Sequence, residues 1–279
     1  MNGTAVSRRR GRATPDRRPA SLPWVMKAPA LVAIAFLLLP LLGLVARAPW
    51  SGLGRILRSQ QVLDALRLSL FTSTTATVIS LVLGVPLAWV LARSRATGIT
   101  LLRALVTLPL VFPPVVAGVA LLMAFGRRGV LGSLLDQWFG VTLPFTTAAV
   151  VMAETFVAMP FLVVTVEAAL RSSDRGLEEA ASTLGASRLT TLRRVTLPLV
   201  APAVAAGAVL CWARALGEFG ATITFAGNFP GRTQTMPLAV YLAMESDPDA
   251  AIALSLVLLV VSVGVLVGLR SSWWPGGAQ

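Results

Sequence analysis

The chain has 279 residues, of which 56% are hydrophobic and 13% charged, and its net charge is +12 at pH 7. Soluble domains carry about a quarter of their residues as charged groups, so this chain has too little polar surface to cover a soluble core. The composition therefore excludes an ordinary soluble domain and favours the lipid bilayer as the solvent. Because apolar runs dominate, the arginine-rich charge indicates an anionic membrane face in preference to nucleic acid.

The residue inventory also excludes several kinds of site. The chain has no histidine and one cysteine, Cys211, so an intrachain disulfide and a metal site built from these residues are ruled out. A phosphate-binding loop of the form GxxxxGK[ST] needs a lysine, and the only lysine, Lys27, lies outside such a sequence. We therefore expect no catalytic residue, metal or cofactor in this chain.

The N-terminal region divides into a basic tail and an apolar run. Segment 1–27 is rich in arginine, proline and small polar residues, which predicts a disordered basic tail. The run 28–46, followed by Ala48, also resembles a cleavable signal peptide with an A-x-A site. Its apolar part is longer than the roughly 7 to 15 residues of a signal core, so we predict a retained first membrane helix.

Five uncharged runs approach the roughly 20 residues that a helix needs to cross the hydrocarbon. They are 28–46, 68–92, 104–126, 195–213 and 250–269. A sixth span is predicted over 144–169, although Glu154 interrupts it and Glu167 lies near its end, because long apolar flanks offset the cost of an ionisable residue. The predicted fold class is an all-α integral membrane protein with six transmembrane helices.

Two features inside the predicted spans indicate more than passive anchoring. Pro109, Pro113 and Pro114 interrupt the hydrogen-bond ladder of the third run, which predicts either a kink beside a pathway or packing against a neighbouring helix. Glu154 is expected to face the interior of the subunit, where it would be paired or protonated. The sequence does not name its partner.

The distribution of arginine predicts the orientation of the spans. With the N-terminus in the cytoplasm, the tail 1–27, the loops 93–103 and 171–194 and the C-terminal end, including the tail 271–279, lie inside and hold most of the basic residues. Both termini are therefore predicted to be cytoplasmic.

A polar, charged segment, 171–198, interrupts the otherwise apolar chain. Ser173 or Asp174 can cap a first short helix, Gly185 can end it, and Ser187 can start a second one with basic residues in its last turn. Two short helices hinged at a glycine on the cytoplasmic surface are typical of a docking segment, although an amphipathic interfacial loop has a similar composition. A helix-turn-helix DNA reader is disfavoured because the segment is too short for a soluble core.

The same segment resembles the EAA loop of ABC importer permease subunits, whose pattern is E-A-A-x3-G-x9-I-x-L-P, with valine here in place of isoleucine. The resemblance implies a type I ABC importer permease fold over a core 64–270, in the bacterial inner membrane. It implies partners as well: a second copy of the chain, an ATP-binding subunit that holds ATP and Mg, and an extracytoplasmic binding protein. The residues to which it assigns ATPase coupling are Glu179, Ala180, Ala181, Gly185, Ser187, Leu197 and Pro198.

Two further stretches, 108–132 and 213–241, resemble molybdate-type permeases. The resemblance implies molybdate as cargo, and sulfate and tungstate remain alternatives because they are oxyanions of similar charge and shape. A secondary transporter that works alone is disfavoured, because such proteins carry intramembrane acids along their route and only Glu154 could serve.

The stretch 213–241 also contains hydrogen-bond donors that suit an oxyanion. Arg214 and Glu218 are four residues apart and are predicted to pair on one side of a helix. The alternative is that this pair is structural and that 227–231 is an ordinary loop turn. The candidate pathway residues are Arg214, Glu218, Phe219, Thr222, Thr224, Asn228, Arg232 and Thr233.

Overall fold

The computed structural model describes residues 24–273, and these contain helices and no strand. The chain divides into two units, Met1–Ala46 and Arg47–Gln279. The first unit contributes one apolar helix, α1 (Trp24–Ala46), whose 23 residues are enough to cross a bilayer. Most of the predicted N-terminal tail, 1–23, and the end of the C-terminal tail, 274–279, lie outside the described residues.

The second unit holds the remaining helices. In chain order they are α2 (Leu53–Leu57), α3 (Gln60–Arg93), α4 (Ile99–Val111), α5 (Pro114–Phe125), α6 (Gly132–Phe139), α7 (Thr147–Ser172), α8 (Arg175–Thr183), α9 (Arg188–Thr191), α10 (Leu197–Leu216), α11 (Gly220–Phe225), α12 (Met236–Ser246) and α13 (Pro248–Trp273). A π-helical turn, Leu192–Thr196, joins α9 to α10.

Long apolar helices account for the predicted spans. Helices α1, α3, α7 and α13 and the continuous stretch Arg188–Leu216 are long and apolar enough to cross a membrane. The bent pair α4 and α5 supplies a sixth span if it is counted as one. The all-helical class and the six-span prediction therefore agree with the structure.

The third predicted span, 104–126, is not one straight helix. Helices α4 and α5 meet at an angle of 118°. Phe112, between them, is extended with ψ 133°, because the ring of Pro113 disfavours a helical conformation in the preceding residue. Pro114 then begins α5, where a missing backbone N–H leaves no bond unmade.

The fifth predicted span, 195–213, also differs from expectation. The sequence predicted a second short helix ending before Pro198, whereas the structure has one continuous helix over Arg188–Leu216. The π-helical turn lies just before Pro198, and the N–H of Leu197 donates to the carbonyl of Leu192 in the wider register. Pro198 does not break the helix, because its missing N–H falls directly after the π-helical turn, where the regular hydrogen-bond register is already shifted.

Helices α3, α7 and α10 form the main core of the second unit. Small residues allow their backbones to approach closely, as is usual in membrane bundles. A Cβ atom at Gly207 of α10 would lie 2.9 Å from Cδ1 of Leu162 in α7, and one at Gly84 of α3 would lie 3.1 Å from Cγ2 of Val163. The polar segment that follows α7 contacts the end of this three-helix core.

Helix α11 packs on α5 and α7. Ala117 and Leu121 of α5, Ala149 and Ala153 of α7 and Phe225 of α11 are buried together in one cluster. This packing places the stretch that follows α10 against the second half of the bent pair.

Candidate coupling segment and substrate pathway

The polar segment 171–198, called the coupling segment below, has the helix caps and the glycine stop that its sequence predicts. Oδ1 of Asp174 accepts a hydrogen bond of 2.8 Å from the N–H of Gly176 and caps α8. Gly185 follows α8 with φ +84°, a left-handed conformation that glycine adopts without strain. Oγ of Ser187 then accepts a 3.2 Å hydrogen bond from the N–H of Thr190 and caps α9. The two predicted caps and the predicted glycine stop are confirmed.

Most of the predicted coupling residues lie on the surface. The exposed members are Glu179, Ala180, Gly185, Ser187, Leu197 and Pro198, whereas Ala181 is half-buried. Leu184, just before the hinge glycine, is 88% exposed, which is unusual for a leucine and leaves an apolar knob on the surface. The surface thus combines small residues, an acid and an apolar projection.

Glu178 joins the polar segment to the transmembrane core. Its Oε1 lies 2.5 Å from Nη2 of Arg93, the last residue of α3, and accepts a 3.1 Å hydrogen bond from the hydroxyl of Thr196. Arg93 also donates to Oγ of Ser173, the residue that follows α7, at 3.1 Å. The end of α3 and the turn before α10 therefore meet at one carboxylate, and Arg93 links that carboxylate to the end of α7. The sequence did not single out Glu178, because no local signal reports a contact with a residue 85 positions away along the chain.

A second ion-pair cluster lies at the same ends of the helices. Nε of Arg103 in α4 is 2.7 Å from Oε1 of Glu167 in α7, and Arg171 contacts the same oxygen at 3.4 Å. Nη2 of Arg103 also donates to the backbone carbonyl of Leu91 in α3 at 3.0 Å. Arg103 therefore fastens α3, α4 and α7 together.

The predicted pair Arg214 and Glu218 forms. Nη1 of Arg214 lies 2.5 Å from Oε2 of Glu218, and the carboxylate is 1% exposed. The other oxygen, Oε1, accepts a 2.8 Å hydrogen bond from the N–H of Ala221 in α11. Glu218 thus holds the end of α10 to the start of α11.

The other candidate pathway residues do not converge on one point. Phe219 packs against Tyr241 with ring centroids 5.2 Å apart. The hydroxyl of Thr224 donates to the carbonyl of Gly220, and the hydroxyl of Thr233 accepts from the N–H of Phe229. The remaining members differ in burial: Thr222 is buried, Asn228 is half-buried and Arg232 is exposed.

Glu154 faces the interior of the second unit, as the sequence predicted. Its side chain is 1% exposed, and the hydroxyl of Thr72 in α3 donates to its Oε1 at 2.9 Å. The sequence could not supply Thr72 as the partner, because the contact joins α7 to a different span.

A family model described as "binding-protein-dependent transport system inner membrane component" matches residues 80–271. The chain belongs to this family of permeases. The match covers α7, the coupling segment and α10, and the family description agrees with a multi-pass protein of the inner membrane.

Relatives of this permease carry related names. It is 48% identical over 251 residues to the molybdenum transport system permease protein ModB of Mycobacterium tuberculosis, covering 90% of this chain and 95% of that protein. It is 42% identical to ModB of Escherichia coli strain K12, with 75% and 92% of the two chains covered. The sulfate transport system permease protein CysT of Salmonella typhimurium is 37% identical, with 86% and 88% covered.

Solved structures show the same fold at low sequence identity. The permease matches a chain of a bacterial ABC transporter that imports the acidic polysaccharide alginate, with a TM-score of 0.73, 18% identity and coverage of 91% and 96% of the two chains. The MetNI methionine ABC transporter in an inward-facing conformation matches with a TM-score of 0.59 and 18% identity, covering 77% and 97%.

Proposed function

We propose that this permease forms the membrane pathway of an ATP-driven importer of molybdate. The observation that carries the proposal is the coupling segment, whose exposed surface continues without a break into α10 through the π-helical turn. A protein that pushes on this surface would therefore move a membrane-spanning helix. Molybdate is favoured as cargo because relatives up to 48% identical are named as molybdenum permeases.

The proposed complex contains four further parts of the machine. A second copy of the permease faces the first around the pathway, and each copy docks on an ATP-binding subunit that holds ATP and Mg. An extracytoplasmic binding protein delivers the oxyanion. ATP-driven closure of the ATP-binding subunits moves the two coupling segments, and the pathway opens to the outside in an alternating-access cycle.

Within this cycle, the pathway residues have different proposed roles. Arg214 offers a guanidinium that can meet an oxyanion near the junction of α10 and α11, while Glu218 orients that guanidinium and neutralises it when no cargo is present. Thr222 is a buried hydroxyl in the same region. A guanidinium whose charge is neutralised by Glu218 binds an oxyanion weakly. Weak binding allows the oxyanion to leave the pathway.

Sulfate is the second candidate cargo, because CysT of Salmonella typhimurium is 37% identical over most of its length. Sulfate, molybdate and tungstate are tetrahedral dianions, so the donors described above suit each of them. Uptake of the three oxyanions in the presence of the binding protein therefore has to be measured to find which one is preferred.

Reconstituted vesicles test the proposal. The permease is assembled with its ATP-binding subunit and binding protein, and uptake of labelled molybdate, sulfate and tungstate is measured with and without ATP. We expect ATP-dependent uptake with molybdate preferred. Gly185→Val should abolish uptake, because a β-branched residue resists φ +84°, while Gly185→Asn should retain part of it, because asparagine tolerates that conformation.

The outcomes separate the alternatives. Uptake by the permease alone, without nucleotide or partner, would contradict the ATP-driven mechanism and favour a secondary transporter. Preference for sulfate would overturn the cargo and keep the mechanism. Normal uptake by Gly185→Val would contradict the coupling role of the hinge.

A further inference from the structure

The contacts of Glu178 gather three membrane helices at one point. One oxygen of Glu178, Oε1, accepts hydrogen bonds from Nη2 of Arg93 at the end of α3 and from the hydroxyl of Thr196 in the turn before α10. Arg93 carries the contact on to Ser173, whose hydroxyl donates to the carbonyl of Leu170 in α7 at 2.8 Å. The helices joined here, α3, α7 and α10, are the ones that form the main core.

The latch, defined as Arg93, Ser173, Glu178 and Thr196, lies in a sheltered place. The side chains of Arg93 and Glu178 are 14% and 23% exposed, and Thr196 is buried. The guanidinium of Arg93 is also 5.6 Å from the centroid of the Trp89 ring, which limits its freedom. A partly desolvated, charge-assisted contact of this kind is stronger and more directional than a surface ion pair.

Apolar packing does not fix the position of α8. None of the residues of α8 or α9 is buried. A cavity of about 470 Å³ lies beside these helices, lined mainly by apolar atoms of residues that include Trp89, Leu189 and Leu192. Among the described side-chain hydrogen bonds and ion pairs, those of Glu178 are the ones that link α8 to the spans.

The helix ends that the latch contacts are also joined to one another by a second set of polar contacts. Arg103 joins α4 to Glu167 of α7 and to the carbonyl of Leu91 in α3. Leu91 is two residues before Arg93, so this cluster holds the end of α3 on which the latch depends. The two ion-pair clusters together form a continuous connection from α8 to α3, α4, α7 and α10.

We propose that Arg93 and Glu178 are positioning residues that hold the coupling segment rigidly to the transmembrane core, so that movement of the ATP-binding subunit reaches α3, α7 and α10 together. This inference rests on the proposed function. Without the latch, α8 would pivot into the neighbouring cavity, and part of each movement would be lost before it reached the spans.

Charge-altering variants test the latch in the reconstituted importer. Arg93→Gln and Glu178→Gln remove one partner each, and the double variant Arg93→Glu with Glu178→Arg exchanges the charges. Molybdate uptake and ATP hydrolysis are measured in the same vesicles. We expect each single variant to lower uptake per ATP hydrolysed by about tenfold, within the usual range of coupling between sites. The exchanged pair should recover part of that loss.

Hydrogen exchange provides a readout that does not require transport. Backbone amides of 175–183 should exchange faster in both single variants than in the original permease, and the exchanged pair should reverse part of the increase. The matched control is Arg127→Gln, which removes an ion pair between Arg127 and Asp136 where the arginine side chain is 74% exposed. Arg127→Gln should change neither the uptake per ATP hydrolysed nor the amide exchange of 175–183.

Each result bears on the latch in one direction. An unchanged ratio of uptake to hydrolysis in Glu178→Gln would overturn it, and so would failure of the exchanged pair to improve on the single variants. If the unaltered complex shows no ATP-dependent uptake, the proposed function fails, whereas loss of coupling in the variants alone concerns the latch.

Discussion

At the scale of single residues, close approach between helices depends on positions that lack a side chain. A Cβ atom at Gly118 of α5 would lie 2.6 Å from Cβ of Thr224 and 2.8 Å from the carbonyl oxygen of Ala221 in α11. We predict that Gly118→Ala destabilises the permease by about 1 to 3 kcal/mol, because neither backbone can move without breaking other contacts. Thermal unfolding in detergent should show a Tm lower by about 2 to 4 °C for each kcal/mol.

The control for this prediction is Gly264→Ala in α13. Apart from its chain neighbours and its own helix backbone, no described atom lies within 4 Å of a Cβ at Gly264, so the added methyl group meets no neighbouring helix. Its Tm should stay the same or rise slightly, because alanine favours a helix over glycine. Equal loss of Tm in both variants would show that the contact between α5 and α11 is not the cause.

At the scale of elements, α8 depends on its cap more than a buried helix would. Asp174 is the side chain that accepts the N–H of Gly176, and no residue of α8 is buried. Asp174→Ala should therefore cost about 1 kcal/mol of local helix stability. Hydrogen exchange of 175–183 should be about fivefold faster, while the exchange of α7 stays unchanged.

Asp174→Asn is the matched variant, because asparagine caps a helix as well as aspartate does. It should keep the original exchange rates. If both variants behave alike, the cap does not determine the stability of α8, and the contacts of Glu178 would carry it alone.

At the scale of the whole molecule, the distribution of arginine predicts that the coupling segment and the loop before α6 face opposite sides of the membrane. Leu184 and Val130 are 88% and 79% exposed, and the sole cysteine, Cys211, is buried. In a Cys211→Ala background, a membrane-impermeant maleimide should label Val130→Cys in intact spheroplasts. It should label Leu184→Cys only after permeabilisation.

Labelling in the reverse order would invert the predicted orientation and place the coupling segment where no ATP-binding subunit can reach it. Expression without the ATP-binding subunit keeps Leu184 accessible to the reagent. The parent Cys211→Ala permease, which has no cysteine, should remain unlabelled on both sides.

The sequence alone was sufficient for the local features of this permease. Uncharged runs predicted the spans, because a bilayer admits only helices whose backbone groups are satisfied internally. Asp174, Gly185 and Ser187 predicted the caps and the hinge, because these residue types satisfy or release backbone groups at helix ends. The pairing of Arg214 with Glu218 was also local, since residues four apart share one side of a helix.

Only the tertiary structure could decide the rest. The prolines predicted an interruption of the third span, but the 118° angle between α4 and α5 and the uninterrupted helix through Pro198 are seen only in the structure. The partners of Glu154 and Glu178 are Thr72 and Arg93, which lie 82 and 85 residues away along the chain. Periodicity and spacing report neighbours on one helix, whereas the partner of a sheltered polar side chain is set by whichever helix the packing brings beside it.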